Sequence, residues 1–302
     1  MKRVLLTGAS GFVGRHAIAP LVARGYEVHA VCEREARLAP PGVRWHRANL
    51  LDSPQALRLM EEIRPTHLLH FAWYAEHGKF WRSTENYRWL EASIALLRRF
   101  HECGGKRVVV AGSCAEYDWS YGYCSEGITP CRPTTPYGAC KNALQDTLHS
   151  YCVETGLSAG WGRIFFVYGP GEHPARLVSS VIGSLLQGGI ARCTHGNQIR
   201  DFLHVEDVAD AFVALLDSVV RDAVNIASGR PVSVRDVVLA TADLIGARER
   251  VDFGALPAPD FEPPLLVADT RRLFNEVGWR PRWELIAGIE QAMRYSQANE
   301  IA

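Results

Sequence analysis

Tyr137 and Lys141 stand four residues apart in TTPYGACKNAL, residues 134–144, directly after Pro136. Thr135 followed by a proline is an N-cap and first-turn pair, so a helix is expected from there to about residue 154. On such a helix the phenol and the ammonium share one face, one turn apart. An ordinary surface helix produces that spacing too. What raises its interest is VVVAGSCAEY upstream, where Ser113 closes an apolar run with the character of a buried strand. A serine, a tyrosine and a lysine brought together can exchange a proton with an alcohol or carbonyl oxygen, as redox chemistry at a carbinol carbon requires near neutral pH. A tyrosine of ordinary pKa, about 10, is a poor base until a cation favours its anion. Lys141 can supply that charge, and Ser113 can hold and orient the oxygen.

Those side chains need a scaffold. Short apolar runs (RVLLTG, EVHAVC, HLLHFA, RVVVAGS) alternate with helix-like segments such as 12–24 and 86–103, with Gly25 placed to close the first helix. The alternation predicts an α/β fold whose parallel sheet is covered on both faces. Past residue 165 the chain is less regular and richer in proline and glycine (YGPGEHP, FGALPAPDFEPP, GWRPRW), which suggests a smaller, loop-rich part beside the sheet. No internal repeat or long linker interrupts it.

Between the first strand and the first helix stands TGASGFVG, with Gly8, Gly11 and Gly14 three apart. Such a turn lets backbone approach a pyrophosphate and aims the N–H groups of a helix start at it. It fits a nicotinamide dinucleotide, although glycine turns also occur without one. The second strand ends in AVCEREAR, with Cys32 where an acid for the ribose hydroxyl is usual. Glu33 follows, then Arg34 and Arg37. A small residue backed by arginines favours NADP(H); Glu33 favours NAD instead, and a solvated charged loop would look the same. Asn49, in RANLLD, suits either the adenine edge or a plain turn.

Composition narrows the classes. The 302 residues are 47% hydrophobic, and 33 basic residues balance 33 acidic ones without charged runs. No footprint of a nucleic-acid binder follows. No apolar stretch approaches the roughly 20 residues that cross a bilayer. MKRVLLTGAS leads into the glycine turn rather than a cleavage site and reads as a first strand. The eight cysteines are scattered without metal-ligand spacing, so reduced thiols in a cytoplasmic protein without a structural metal are expected.

Taken in order, the glycine turn, HLLHFAW with His70 and Ala72, Asn86, Ser113, YGACK, VYGPGE, QIRDFLHVEDVADA and ADTRRLFNEVGWRPRW resemble an extended short-chain dehydrogenase/reductase of the nucleotide-sugar epimerase, dehydratase and ketoreductase branch. The likeness spans nearly the whole chain. It implies a doubly wound Rossmann domain over residues 1–165 with later returns near 197–226, and a mainly substrate-binding domain over 166–302. It implies cofactor contacts along Gly8, Ser10, Gly11, Phe12, Val13 and Gly14, then at Leu50, Phe71, Ala72 and Phe165, with Lys141 on the cofactor ribose. It also implies a nucleotide-sugar substrate, and a homodimer through helices near 87–103 and 137–154. Leu90, Leu97, Leu144 and Leu148 would suit that interface or packing on the sheet.

Relatives that dehydrate carry an Asp-Glu pair after the serine, where this chain has Cys114 and Ala115, so dehydration is not expected. A double epimerase would place a cysteine at Ala115 and a histidine downstream; Cys114 is one position off and His173 only loosely placed. Reduction of a C4 ketone of a 4-keto-6-deoxyhexose remains the main expectation, on Ser113, Tyr137 and Lys141. The alternatives are 4-epimerisation with tightly held NAD, and a cofactor-binding sensor without turnover. Arg200 matches the arginine that grips the diphosphate in relatives, or else pairs with Asp201 or Glu206. His204 and Asp207 are expected to order a turn and cap the next helix. Phe166 stands where relatives have an asparagine, and FEPPLL lacks a second arginine, so the nucleotide is held differently or the substrate is not a standard nucleotide sugar. Aromatic loops bearing Trp73, Trp119 and Tyr121 flank the expected cleft, as sugar platforms or as lid packing.

Overall fold

The computed structural model describes residues 2–33, 42–258 and 262–300, with side chains up to residue 298. In chain order the elements are β1 (Arg3–Thr7), α1 (Gly14–Ala23), β2 (Glu27–Cys32), β3 (Val43–Arg47), α2 (Ser53–Ile63), β4 (His67–His70), α3 (Glu85–Glu102) and β5 (Arg107–Ser113). Then come β6 (Tyr123–Cys124), α4 (Pro136–Thr155), β7 (Ser158–Ile164), β8 (Phe166–Tyr168), α5 (Leu177–Leu186), β9 (Ala191–Cys193), β10 (Ile199–His204), α6 (Val205–Asp217) and β11 (Asp222–Ile226). The chain finishes with β12 (Pro231–Ser233), α7 (Val234–Ile245), β13 (Val251–Phe253), β14 (Leu265–Ala268) and α8 (Leu285–Glu300).

Seven strands form one parallel sheet in the order β11-β7-β5-β4-β1-β2-β3. Its strands read as continuous apolar runs because both faces are covered. On one face Val4, Leu6, Leu69 and Val109 pack with Ala17 and Leu21 of α1 and Val208 and Phe212 of α6. On the other, Leu5, Leu68, Val108 and Val110 meet Met60 of α2, Leu97 of α3 and Leu144 of α4. The winding direction reverses between β1 and β4, and a crevice at the carboxyl ends of the strands follows from that reversal. This is the doubly wound Rossmann arrangement. A second sheet, β12-β10-β14-β6 with β8 beside β10, carries the later chain together with the β13-β9 pair.

Local chemistry sets the helix starts. Thr135 accepts the Gly138 N–H at 3.2 Å and Pro136 opens α4, while Asp52 caps α2. The helices expected over 12–24 and 86–103 run Gly14–Ala23 and Glu85–Glu102, and Gly25 takes φ +75° behind the first. His204 does cap α6, its Nδ1 accepting from Glu206 N, but Asp207 instead accepts the Arg282 and Trp283 amides and ties down the C-terminal segment. Leu97, Leu144 and Leu148 are buried in the sheet-facing core, so of the four leucines assigned to either role only Leu90 is not fully enclosed. None of the eight cysteines is in a disulfide. No helix among the described residues is long and apolar enough to cross a membrane, and no three His, Cys, Asp or Glu side chains there converge as metal ligands.

The glycines of the first turn are not equivalent. Gly8 takes φ +66°, and a Cβ there would lie 2.8 Å from Ala72 N and 2.9 Å from the Phe71 carbonyl carbon. A Cβ on Gly14 would overlap the Gly8 carbonyl, whereas one on Gly11 meets only that oxygen, at 3.1 Å. Gly14→Ala is therefore expected to cost about 1–3 kcal/mol through overpacking, and Gly11→Ala clearly less. Thermal unfolding of the two variants side by side checks the order, and equal melting temperatures would contradict it.

Candidate active site

Ser113 is the last residue of β5, next in the sheet to β4 and two strands from β1. Its backbone leaves the sheet in a 3₁₀ turn closed as a capping box: Ala115 N donates to Ser113 Oγ at 3.2 Å, and Ser113 N donates to Glu116 Oε1 at 2.7 Å. The first turn of α4 presses onto this turn, because Gly138 has no side chain to strike the Ala115 carbonyl. That contact brings the Tyr137 phenol to the Ser113 hydroxyl, with which it hydrogen-bonds.

One turn further along α4, Lys141 is 3% exposed. Its Nζ donates to the Ala111 carbonyl at 2.8 Å and lies 3.8 Å from the centre of the Trp73 ring. Trp73 is itself held, its indole N–H donating to Asn86 Oδ1 at 2.8 Å, while Asn86 Nδ2 donates to the Phe80 and Ser83 carbonyls. Phe80 and Trp81 meet the Tyr137 ring edge-on at 4.9 and 5.5 Å, and Trp119 stands edge-on to Trp81 at 6.1 Å. Both aromatic loops thus wall the centre, Trp119 also donating its N–H to the Cys114 carbonyl. Tyr121 is exposed.

The expectation that Lys141 pulls the phenol down is not met. Burial pushes Tyr137 up to about 12, and the Ser113 hydrogen bond and the Arg176 charge only partly oppose it. Burial also lowers Lys141 to about 7, against a smaller upward pull from Glu116. In this low-dielectric pocket desolvation is the largest cause of both shifts.

The turn after β1 has the form of a phosphate cradle. Gly11 N donates to the Gly8 carbonyl at 2.9 Å, and α1 starts behind its N-cap Val13 with no side-chain cap, Arg15 N and His16 N being bonded to the Gly11 and Val13 carbonyls. Ser10 is exposed and Phe12 and Val13 partly so. These features fit a dinucleotide pyrophosphate. At the neighbouring strand end, Ala72 N donates to Thr7 Oγ1 at 3.3 Å. Wholly buried His70 bridges Thr7 Oγ1 at 2.7 Å and Ser93 Oγ at 3.0 Å, and burial depresses it to about 3, so it is a neutral cross-link. The Phe71 ring faces Phe212, and Phe165 and Leu50 are buried. Asn49 is exposed and its Oδ1 accepts Leu51 N at 2.9 Å, the turn role. Glu33 is exposed at the end of β2; Arg34 and Arg37 lie outside the described residues.

Several substrate expectations change. Arg200 is 1% exposed and pairs with neither Asp201 nor Glu206: its Nη2 meets Glu262 Oε1 at 2.9 Å, over the Phe166 ring at 5.3 Å. Asp201 accepts from Ser228 and Gly229. Glu262 comes from the stretch that lacks a second arginine, a pairing distant in sequence. Cys114 is buried among Tyr117, Cys124 and Phe165, with its thiol pushed well up by burial, so it packs rather than reacts. Ala115 is likewise buried. His173 is exposed, accepts from Ala175 N, and stacks on His77 at 4.6 Å. The sequence reading overlooked Glu116 and Gly138. The spacing Ser-x-x-Glu in SCAE signalled the first; nothing local signalled the second.

A family model described as the NAD dependent epimerase/dehydratase family matches residues 4–227. The chain is 25% identical to UDP-glucuronate 4-epimerase 2 of Arabidopsis thaliana, over 97% of this chain and 75% of that protein. Among solved structures, UDP-glucose 4-epimerase of Thermus thermophilus in complex with NAD superposes with TM-score 0.86 at 27% identity, covering 98% of this chain and 99% of the other. MoeE5 in complex with UDP-glucose and NAD gives TM-score 0.84 at 30% identity, over 99% of both chains.

Burial of Lys141 leaves a mark on stability. Its folded-state pKa, about 7, lies below the ordinary 10.5. Between those values the unfolded chain binds the extra proton, so unfolding free energy contributed by this group rises as pH increases from about 7 towards 10.5 and is lowest below 7. Denaturant titrations of the wild type and Lys141→Met across that range should show the wild type gaining relative to the variant as pH rises; parallel curves would contradict it.

Proposed function

The chain belongs to the NAD-dependent epimerase/dehydratase family, and we propose that it is a nucleotide-sugar 4-epimerase using NAD. The observation that carries this is the assembly of Ser113, Tyr137 and Lys141 with inert Cys114 and Ala115 behind the serine, where elimination would need an added acid and base. The site has the groups for proton exchange at one oxygen and no more. Most of the relatives that span nearly the whole chain are 4-epimerases of UDP-sugars, beside a CDP-abequose synthase at 26% identity, and that majority supports this reaction above the reduction expected from sequence. NAD is the better reading for the same reason, with Glu33 as acceptor for the ribose hydroxyl.

When bound, the nicotinamide supplies the redox chemistry at C4. Tyr137 holds the proton exchanged with the C4 oxygen, and Ser113 donates to that oxygen and lines it up with the phenol. Lys141, fixed on the Ala111 carbonyl one turn from the phenol, is placed to hold the cofactor ribose. Phe80, Trp81 and Trp119 exclude water around the exchange. We assign residues 1–165, with returns near 197–226, to the cofactor and 166–302 mainly to the sugar nucleotide. A homodimer would use the outer faces of α3 and α4, where Tyr87, Ile94 and Val153 are exposed.

One feature favours keto-sugar reduction with NADPH as a second reading: Cys32 ends β2 where a ribose-binding acid is usual. The two separate in one assay. Offered UDP-glucose, UDP-galactose or UDP-glucuronate with NAD, the protein should interconvert C4 epimers with no net change in reduced cofactor. Stoichiometric NADPH loss on a 4-keto-6-deoxyhexose nucleotide would replace epimerisation by reduction. Tyr137→Phe should lower kcat by about 10³-fold or more while leaving NAD affinity within severalfold; an active variant would refute the role of the phenol.

A further inference from the structure

Beneath the Ser113 turn lies a charged cluster that touches neither the expected cofactor cradle nor the open cleft. Glu116 is wholly buried, yet its carboxylate meets four hydrogen-bond contacts: Ser113 N at 2.7 Å, Trp161 Nε1 at 3.1 and 3.0 Å, and Arg163 Nε at 2.6 Å. Arg163 is also buried, and its Nη2 reaches Gln145 Oε1 and Cys131 Sγ, both at 3.0 Å, while its guanidinium lies 4.4 Å from the centre of the Tyr117 ring. Gln145 sits on α4, four residues beyond Lys141 and eight beyond Tyr137, on the same helical face.

We propose that Glu116 is a positioning residue of the active site, whose carboxylate clamps the Ser113 amide and, through Arg163 and Gln145, straps that turn to the helix bearing Tyr137 and Lys141. The proposal rests on the catalytic reading of those three residues and adds what holds them in register. A buried ion pair is seldom the most stable way to fill a core, since apolar side chains of similar volume do as well or better. What it supplies is directional: a carboxylate with every lone pair engaged allows its partners one arrangement. The packing around it is equally intolerant, because a Cβ on Gly112 would overlap the Trp161 indole nitrogen and crowd Glu116 Oε1 at 2.6 Å. Its charge also faces the centre from below. The charges that act on Tyr137 are those of Glu116, Cys114 and Arg176, and Glu116 acts on Lys141 as well, so Glu116 is the carboxylate that both feel.

The test uses the NAD-loaded protein and two variants. Glu116→Gln keeps an acceptor for Ser113 N but loses the charge and strands a donor. It is expected to lower kcat for UDP-sugar interconversion on the order of 100-fold, with KM and NAD affinity little changed. Ultraviolet titration of the Tyr137 phenolate, taken as the difference from Tyr137→Phe, should move to lower pH by about one unit. Gln145→Met leaves the ion pair in place and cuts only the strap, so kcat should fall with KM and the phenol titration unmoved; this half-exposed site keeps the proposal testable if Glu116→Gln does not fold. Wild-type kcat in either folded variant, or an unmoved phenol titration in a folded Glu116→Gln that merely melts earlier, would reduce Glu116 to core filling. If the wild type turns over none of the sugars offered, the epimerase reading fails by itself, and the phenolate titration still decides whether Glu116 acts on Tyr137.

Discussion

The bond from Lys141 to the Ala111 carbonyl anchors everything around it. It joins α4 to the interior of β5, two residues before Ser113, and so decides how the phenol one turn earlier meets the serine hydroxyl. Burying an ammonium is costly unless it is bonded and faced by something polarisable. Here a backbone oxygen and the Trp73 ring share that task. The carbonyl lies just beyond the point where β4 stops, at His70 opposite Val110, while β5 runs on to Ser113; the ring is held by Asn86, which takes its N–H and two carbonyls of the loop before α3. The crevice at the strand ends, the aromatic wall and the Tyr137–Lys141 face of α4 are thus one connected construction.

That construction makes the chemistry narrow and leaves the substrate grip unusual. The residues behind Ser113, Cys114 and Ala115, are small and buried. Arg200, by contrast, is taken up inside the protein by Glu262, and Gln198 donates to the other oxygen of the same carboxylate at 2.9 Å. An arginine so engaged differs from one held open for a phosphate, because a substrate anion would have to compete with a partner already at bonding distance. The Phe166 ring lies against the guanidinium as a flat apolar floor.

Features set by neighbours in sequence were legible before any coordinates. Apolar runs alternating with amphipathic segments, the glycine spacing after β1, Thr135-Pro136 at the start of α4, and Gly25 behind α1 each depend on chain-local geometry, so the parallel sheet and the placement of Tyr137, Lys141 and Ser113 on their elements could be read directly. The helix bounds fell within a few residues for the same reason. The division of roles among Leu90, Leu97, Leu144 and Leu148 could not, because an amphipathic helix shows an apolar stripe without saying what covers it.

What only the tertiary structure decided are quantities set by surroundings gathered from distant segments. The high pKa of Tyr137 and the low one of Lys141 come from burial beneath residues 73–81 and 119, which no spacing within TTPYGACK encodes. Glu262 at Arg200 and Arg163 at Glu116 are partners across 62 and 47 residues, chosen by how the sheets pack. Residue types alone determined which chemistry was possible; the dielectric and the contacts imposed by folding determined which groups carry charge, which are already engaged, and which remain open to a substrate.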